Sequence, residues 1–371
     1  MPAASILIKP SSSNCNMDCK YCFYKCLSSN REQYSMGFMS EQTLETLVKN
    51  AVEYADGYLT FAFQGGEPTL RGLDFFRKAI ELQKKYNPGN LVIENTMQTN
   101  GILINKEWAE FFRDNRFLIG LSLDGTRKLH DGARFDVSGN GTFERVMCAA
   151  ETLKRYGVDF NILTVVTELI AQKASALYRF YKRNGFSYVQ LIPCMNEGGH
   201  NQYAVTAESY GRFLCEFFDL WYEDFRKGDI MDVRMFSNLA QMTVGYPPEE
   251  CGMNGCCSCY FVVEGDGSVY PCDFFCLDEY RLGKVEQGFD NLIQSSIVTK
   301  FIDESKQMAA ECIKCPYVSL CRGGCRKLRQ TFADEGLGKS IFCESYRMFF
   351  EHTWERLHML GRTIIEPGYR V

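Results

Sequence analysis

Between residues 5 and 192, strand-like runs take turns with helix-like stretches, and this alternation restricts the fold more than any other feature of the chain. The strand-like runs are Ser5–Lys9, Leu59–Gln64, Leu91–Gln98, Leu118–Leu123, Phe160–Val166 and Tyr188–Ile192. Between them lie Ser40–Tyr54, Leu73–Lys85, Lys106–Asp114, Thr142–Tyr156 and Ala171–Asn184, which read as helices. Consecutive βα units of this kind build a parallel sheet. Six such units imply an open, partial (β/α)6 TIM-like barrel of the α/β class rather than a closed eight-unit barrel. Parallel sheets collect ligands at the C-terminal ends of their strands. The unusual residues cluster there: a cysteine loop after the first strand, Gly65-Gly66-Glu67-Pro68 after the second, Thr99-Asn100-Gly101 after the third, and Ser122 beside Asp124-Gly125 at the fourth.

The loop after the first strand carries Cys15, Cys19 and Cys22 in the spacing C-x3-C-x2-C. A four-iron cluster usually takes four thiolates, so three leave one iron open to a small molecule. From Cys251 onward the pattern changes: strand runs shorten to Tyr260–Glu264 and Ser268–Tyr270, joined by the hairpin signal Gly265-Asp266-Gly267. Eight further cysteines stand in order at Cys251, Cys257, Cys272, Cys312, Cys315, Cys321, Cys325 and Cys343. Eight soft ligands suffice for two more complete four-iron clusters. The C-terminal block in isolation suits zinc equally well. The helix-like stretch Glu208–Phe225 reads as a bridge, and a division near residue 235 gives modules 1–235 and 236–371.

Eighteen cysteines in 371 residues are too many for chance and the chain too long for a small secreted disulfide scaffold, so the cysteines point to metal or redox chemistry in a reducing compartment. The four histidines do not cluster in the sequence. A net charge of −5 without a dominant basic stretch argues against nucleic-acid binding. Neither a signal peptide nor a membrane-spanning run is evident, and the expected location is the cytoplasm. Seven further cysteines remain, Cys26 and Cys194 among them; Cys148 and Cys215 fall in helical patterns and are expected in the core, while Cys256, Cys259 and Cys276 stand near the ligand cysteines and are expected to be bystanders unless one of them replaces a named ligand.

The N-terminal triplet, with Tyr21 before its last cysteine and Gly-Gly-Glu-Pro after the next strand, resembles the radical S-adenosylmethionine (SAM) enzymes, whose open iron binds SAM. The C-terminal block resembles the SPASM extension of that superfamily. By that resemblance one auxiliary cluster takes Cys251, Cys257, Cys272 and Cys325, and the other takes Cys312, Cys315, Cys321 and Cys343. Spacing alone would have grouped Cys312 to Cys325 together. The resemblance also assigns the SAM contacts: Gly66 for the methionyl amine, Ser122 and Arg134 for the carboxylate, Tyr21 and Met195 around the adenine. From sequence alone Arg134 would pass for a solvated surface charge.

Residues 6–24, Phe61–Thr69, Gln98–Gly101, Gly120–Gly125, Cys251–Gly255 and Tyr270–Phe274 together resemble one subfamily, the anaerobic sulfatase-maturating enzymes. This implies three 4Fe-4S clusters, SAM, an unfolded or nascent sulfatase polypeptide as substrate, and a flavodoxin- or ferredoxin-type electron donor. The implied reaction oxidises an active-site Cys or Ser to Cα-formylglycine, with Asp273 as the base. Tyr24 and Gln64, at the mouths of the first two strands, are candidate substrate contacts. Two other readings stand beside it: a SPASM peptide maturase that crosslinks or epimerises residues, and a non-catalytic zinc scaffold.

Overall fold

The computed structural model describes residues 4–89, 91–196, 201–329 and 337–365. By contact the chain divides into two compact units. The first comprises residues 1–123, 130–161 and 258–300; the second comprises 124–129, 162–257 and 301–371. The segment 258–300, C-terminal in sequence, therefore packs with the N-terminal strands. Compactness does not follow a single cut near residue 235, and the 1–235/236–371 division stays a proposal about sequence modules.

In the first unit, β1 (Ala4–Ile8), β2 (Tyr58–Phe63), β3 (Val92–Thr99) and β4 (Phe117–Ser122) run parallel in that order. Each lies within a residue or so of its sequence expectation, because alternation in β2 buries Leu59, Phe61 and Phe63 on one face. That face packs under helices Leu73–Tyr86 and Lys106–Asp114, where Phe63 meets Phe76 and Phe76 meets Trp108, at ring distances of 5.1 and 5.4 Å. The other face is polar toward the C-terminal strand ends. Continuing the β1–β4 register aligns Lys9, Gln64, Gln98 and Gly120 along one row.

Three short strands extend the opposite edge of this sheet. β8 (Val262–Val263) pairs parallel with Leu7 and Ile8 of β1, while β9 (Ser268–Tyr270) and β10 (Gly283–Lys284) follow antiparallel. The β8–β9 turn needs glycine twice. Gly267 has φ 81°, and a Cβ on Gly265 would stand 2.1 Å from the Gly37 carbonyl.

The second unit holds β5 (Phe160–Val166) from Ile162 onward, β6 (Tyr188–Pro193) and β7 (Asp232–Val233), all parallel. The expected helix Ala171–Asn184 stands as Ala174–Arg183, and a separate short helix, Glu168–Ala171, precedes it. Thr167 caps the short helix by accepting from Ile170 N. Helices Ala207–Arg226, Arg234–Thr243 and Cys343–Ile365 share an aromatic core in which Phe349 meets Phe218 and Phe236. Cys215 is half-buried, but Cys148 is exposed: its helix turns the apolar Val146, Ala149, Ala150 and Leu153 inward instead. No helix among the described residues is long and apolar enough to cross a membrane.

Candidate functional site

The loop after β1 is held from two sides. On one side, Gly66 N donates to Ser12 O at 2.8 Å and Glu67 N to Asn14 O at 2.9 Å. A Cβ on Gly66 would lie 2.1 Å from Asn14 O, so glycine here is a condition of the approach between the two loops. Glu67 is buried and accepts from Thr69 N, Thr99 Oγ1 and Asn100 N, which ties the ends of β2 and β3 together. On the other side, residues 133–136 strap the loop: Asp18 N donates to Phe135 O and Lys20 N to Ala133 O.

Cys15, Cys19 and Cys22 are half-buried within this clamp, and helix Phe23–Ser29 starts directly after Cys22. Met17 N donates to Cys15 Sγ at 3.4 Å, and Asn100 Nδ2 reaches the same sulfur at 3.8 Å. Burial and the neighbouring Glu67 push the Cys15 thiol up to about 12, with Cys19 and Cys22 adding to the shift. Among the described residues no three His, Cys, Asp or Glu side chains converge as a single metal ion requires. An iron–sulfur cluster takes its thiolates on separate irons, so three soft donors spread along one pinned loop fit it.

The strap also settles Arg134, which is buried, not a solvated surface charge. Its Nη1 donates to the Tyr21 hydroxyl at 2.8 Å, and its backbone N donates to His130 O. Ser122 ends β4 and accepts from Gln98 Nε2 at 2.9 Å. Met195 follows β6 in the second unit, its carbonyl accepting from Asn201 Nδ2.

A second constellation gathers at Asp273, which follows the β8–β9 hairpin. Tyr24 donates its hydroxyl to Asp273 Oδ2 at 2.5 Å; Gln64 Nε2 donates to the Tyr24 oxygen at 2.7 Å and to Asp273 Oδ2 at 3.3 Å. The structure thus brings Tyr24, Gln64 and Asp273 together. Burial and the adjacent Asp273 carboxylate hold the Tyr24 phenol well above its ordinary range, so it stays a donor. On the far side, Lys9 Nζ pairs with Asp273 Oδ1 at 2.8 Å. Burial pulls the Lys9 ammonium's pKa down, but the carboxylates of Asp273 and Glu264 outweigh it and raise it above the ordinary value. Glu264 is buried too, and Lys9 and Arg31 hold its carboxyl below the ordinary range against that burial.

Sequence reasoning missed Lys9, Glu264 and Arg31. The one available signal was a lysine directly after the apolar run Ile6–Ile8. Cys276, expected as a bystander, is fully buried, accepts from Lys9 Nζ at 3.3 Å, and is pushed up to about 12 by burial.

In the second unit Cys312, Cys315, Cys321 and Cys343 line one cavity. Burial pushes the Cys321 thiol up to about 11, and Cys343, Cys312 and Cys315 add to the rise. Cys325, only four residues beyond Cys321, is turned elsewhere: its Cβ lies 3.7 Å from a Cβ built on Gly252, next to Cys251, and Cys257 feels its charge. Cys272 belongs to the first unit. Of the four histidines, His200 lies outside the described residues.

Residues 10–179 match the Radical SAM superfamily, and residues 251–316 match SPASM, an iron–sulfur cluster-binding domain. The cysteine-type anaerobic sulfatase-maturating enzyme of Clostridium perfringens (strain 13 / Type A) is 46% identical, over 98% of this chain and 100% of its own. The serine-type anaerobic sulfatase-maturating enzyme of Bacteroides thetaiotaomicron is 32% identical, over 94% of this chain and 88% of its own. Among solved structures, native anSMEcpe with bound AdoMet and Cp18Cys peptide matches with a TM-score of 0.93 at 43% identity, covering 98% of this chain and 100% of the other.

Proposed function

This chain belongs to the anaerobic sulfatase-maturating enzymes, radical SAM oxidoreductases with a SPASM domain, and from that premise we propose that it oxidises a sulfatase's active-site cysteine to Cα-formylglycine. The cysteine preference rests on the 46% identity to a cysteine-type relative against 32% to a serine-type one. The SPASM match, to an iron–sulfur domain, turns the zinc-scaffold reading aside.

Cys15, Cys19 and Cys22 would hold the cluster that binds SAM. The sets Cys251, Cys257, Cys272, Cys325 and Cys312, Cys315, Cys321, Cys343 would hold two auxiliary 4Fe-4S clusters. Bound there, the clusters would supply the electron for SAM cleavage and a sink for the substrate's electron, and SAM would supply hydrogen-atom abstraction at the substrate Cβ. An unfolded or nascent sulfatase segment is the substrate, a flavodoxin- or ferredoxin-type protein is the donor, and the cytoplasm is the compartment.

The chain's own residues do the rest. Gly66 has its amide hydrogen committed to Ser12, which leaves its carbonyl for the methionyl amine. Arg134 and Ser122 receive the SAM carboxylate, and Tyr21 and Met195 flank the adenine. Asp273 accepts the substrate thiol proton at Oδ2. Gln64, the more distant of the two donors there, is the one a thiol displaces. Tyr24 keeps the carboxylate aimed. One observation carries this reading: a single compact unit places the three-thiol loop and the Asp273 carboxylate with its paired donors at the same strand ends.

The test is anaerobic incubation of the reconstituted protein with SAM, dithionite and a peptide carrying a Cys-x-Pro-x-Arg core. Mass spectrometry should show the thiol-bearing methylene replaced by an aldehyde, trapped as a hydrazone. A crosslinked or mass-neutral product would instead identify a peptide maturase and overturn the assignment.

A further inference from the structure

We propose that Lys9 is the positioning residue of the Asp273 site: its ammonium takes one carboxylate oxygen and so commits the other to Tyr24, Gln64 and the substrate. The proposal rests on Asp273 being the base and adds the group that aims it.

Lys9 is 1% exposed and follows the apolar run Ile6–Ile8 where β1 reaches its C-terminal end. Its ammonium is ion-paired with Asp273 Oδ1 at 2.8 Å and with Glu264 Oε1 at 3.5 Å, and donates to Cys276 Sγ at 3.3 Å. Arg31 grips Glu264 from behind at 2.7 Å, and its other Nη donates to the Ser13 and Ser28 hydroxyls. The chain from Ser28 through Arg31 and Glu264 to Lys9 thus fixes the ammonium, and the ammonium fixes Oδ1. The same Nζ lies 4.7 Å from the centre of the Tyr24 ring, whose hydroxyl holds Oδ2. Lys9 therefore touches the carboxylate and the ring that steers its second oxygen.

A purely structural account is costly. Burying charges is repaid only by good mutual geometry, and an apolar filling is often as stable. Two cations and two carboxylates gather here, Lys9 and Arg31 against Glu264 and Asp273. Of these carboxylates Asp273 keeps some exposure, 14% for its side chain, while Glu264 has none. The arrangement leaves one partly exposed carboxylate with Lys9 against Oδ1 and with Tyr24 and Gln64 against Oδ2.

The experiment measures formylglycine produced per 5′-deoxyadenosine in the anaerobic peptide assay, for wild type, Lys9→Met, Lys9→Arg and Lys9→Met/Glu264→Gln. Iron content and thermal melting accompany each. Losing a charge-assisted contact to the base should lower the ratio about 10- to 100-fold in Lys9→Met, with partial recovery in Lys9→Arg. The double variant removes one charge of each sign. It keeps the site balanced if Lys9→Met alone fails to fold, and it separates the two accounts. Aiming by Lys9 predicts a ratio still low in the folded double variant. A ratio restored to wild-type value there, or unchanged in folded Lys9→Met, overturns the proposal. A wild type that makes 5′-deoxyadenosine but no aldehyde would remove the functional reading and this proposal together.

Discussion

Asp273 presents its two oxygens to different neighbours, Lys9 on one side and Tyr24 with Gln64 on the other. Replacing it with asparagine preserves the shape and removes the proton acceptor. Asp273→Asn should keep its iron and its visible absorbance yet lose aldehyde formation by at least about 100-fold, the usual worth of a general base. Full turnover in that variant would remove the base assignment. Gly66 makes a different kind of prediction. A methyl group there would collide with Asn14 O, so Gly66→Ala should cost about 1–3 kcal/mol of stability and sharply reduce SAM cleavage. Urea unfolding and 5′-deoxyadenosine yield check it; a variant unchanged in both contradicts the clamp. Sequence could propose the three early thiols and Asp273 because fixed spacing and a motif carry them. Lys9 was not, because its partner Glu264 lies 255 residues away in sequence.

That distance is bridged by an element, the β8–β9 hairpin. β8 has two residues, and its parallel pairing with Leu7 and Ile8 leaves no local signature. The longer strands were readable from their alternation and flanking turns, and the hairpin from its two short runs and Gly265-Asp266-Gly267; what stayed hidden was the pairing of β8 with β1. The segment from His130 to Thr142, which carries the strap, is a second element hidden from sequence. His130 Nε2 pairs with Thr142 Oγ1 at 2.9 Å, and burial, helped by Arg134, pulls the imidazole down to about 2. The unfolded chain takes up this proton near the ordinary value of 6.5 and the folded chain does not. Stability from this group is thus complete above that value and falls as pH drops below it, by up to about 1.4 kcal/mol per pH unit. His130→Gln should flatten the decline in Tm between about pH 7.5 and about pH 5.5. An equal decline in both proteins would contradict the buried neutral histidine.

Across the whole molecule, the cysteines separate by fold rather than by spacing. Cys321 and Cys325 are near neighbours in sequence, yet Cys321 shares a cavity with Cys343 while Cys325 lies by Gly252 and Cys257. If each set holds its own cluster, Cys321→Ala/Cys343→Ala should lose no more iron than either single variant, about four of twelve atoms. Cys325→Ala/Cys343→Ala should lose about twice that. Equal losses in the two doubles would return the ligands to the grouping that spacing suggests. The proposed reaction begins with the hydrogen atom that leaves the substrate Cβ. A Cys-x-Pro-x-Arg peptide deuterated at the cysteine Cβ, incubated anaerobically with SAM and dithionite, tests it most directly. The account predicts one deuterium in the recovered 5′-deoxyadenosine for each formylglycine formed; aldehyde accompanied by unlabelled 5′-deoxyadenosine would contradict it.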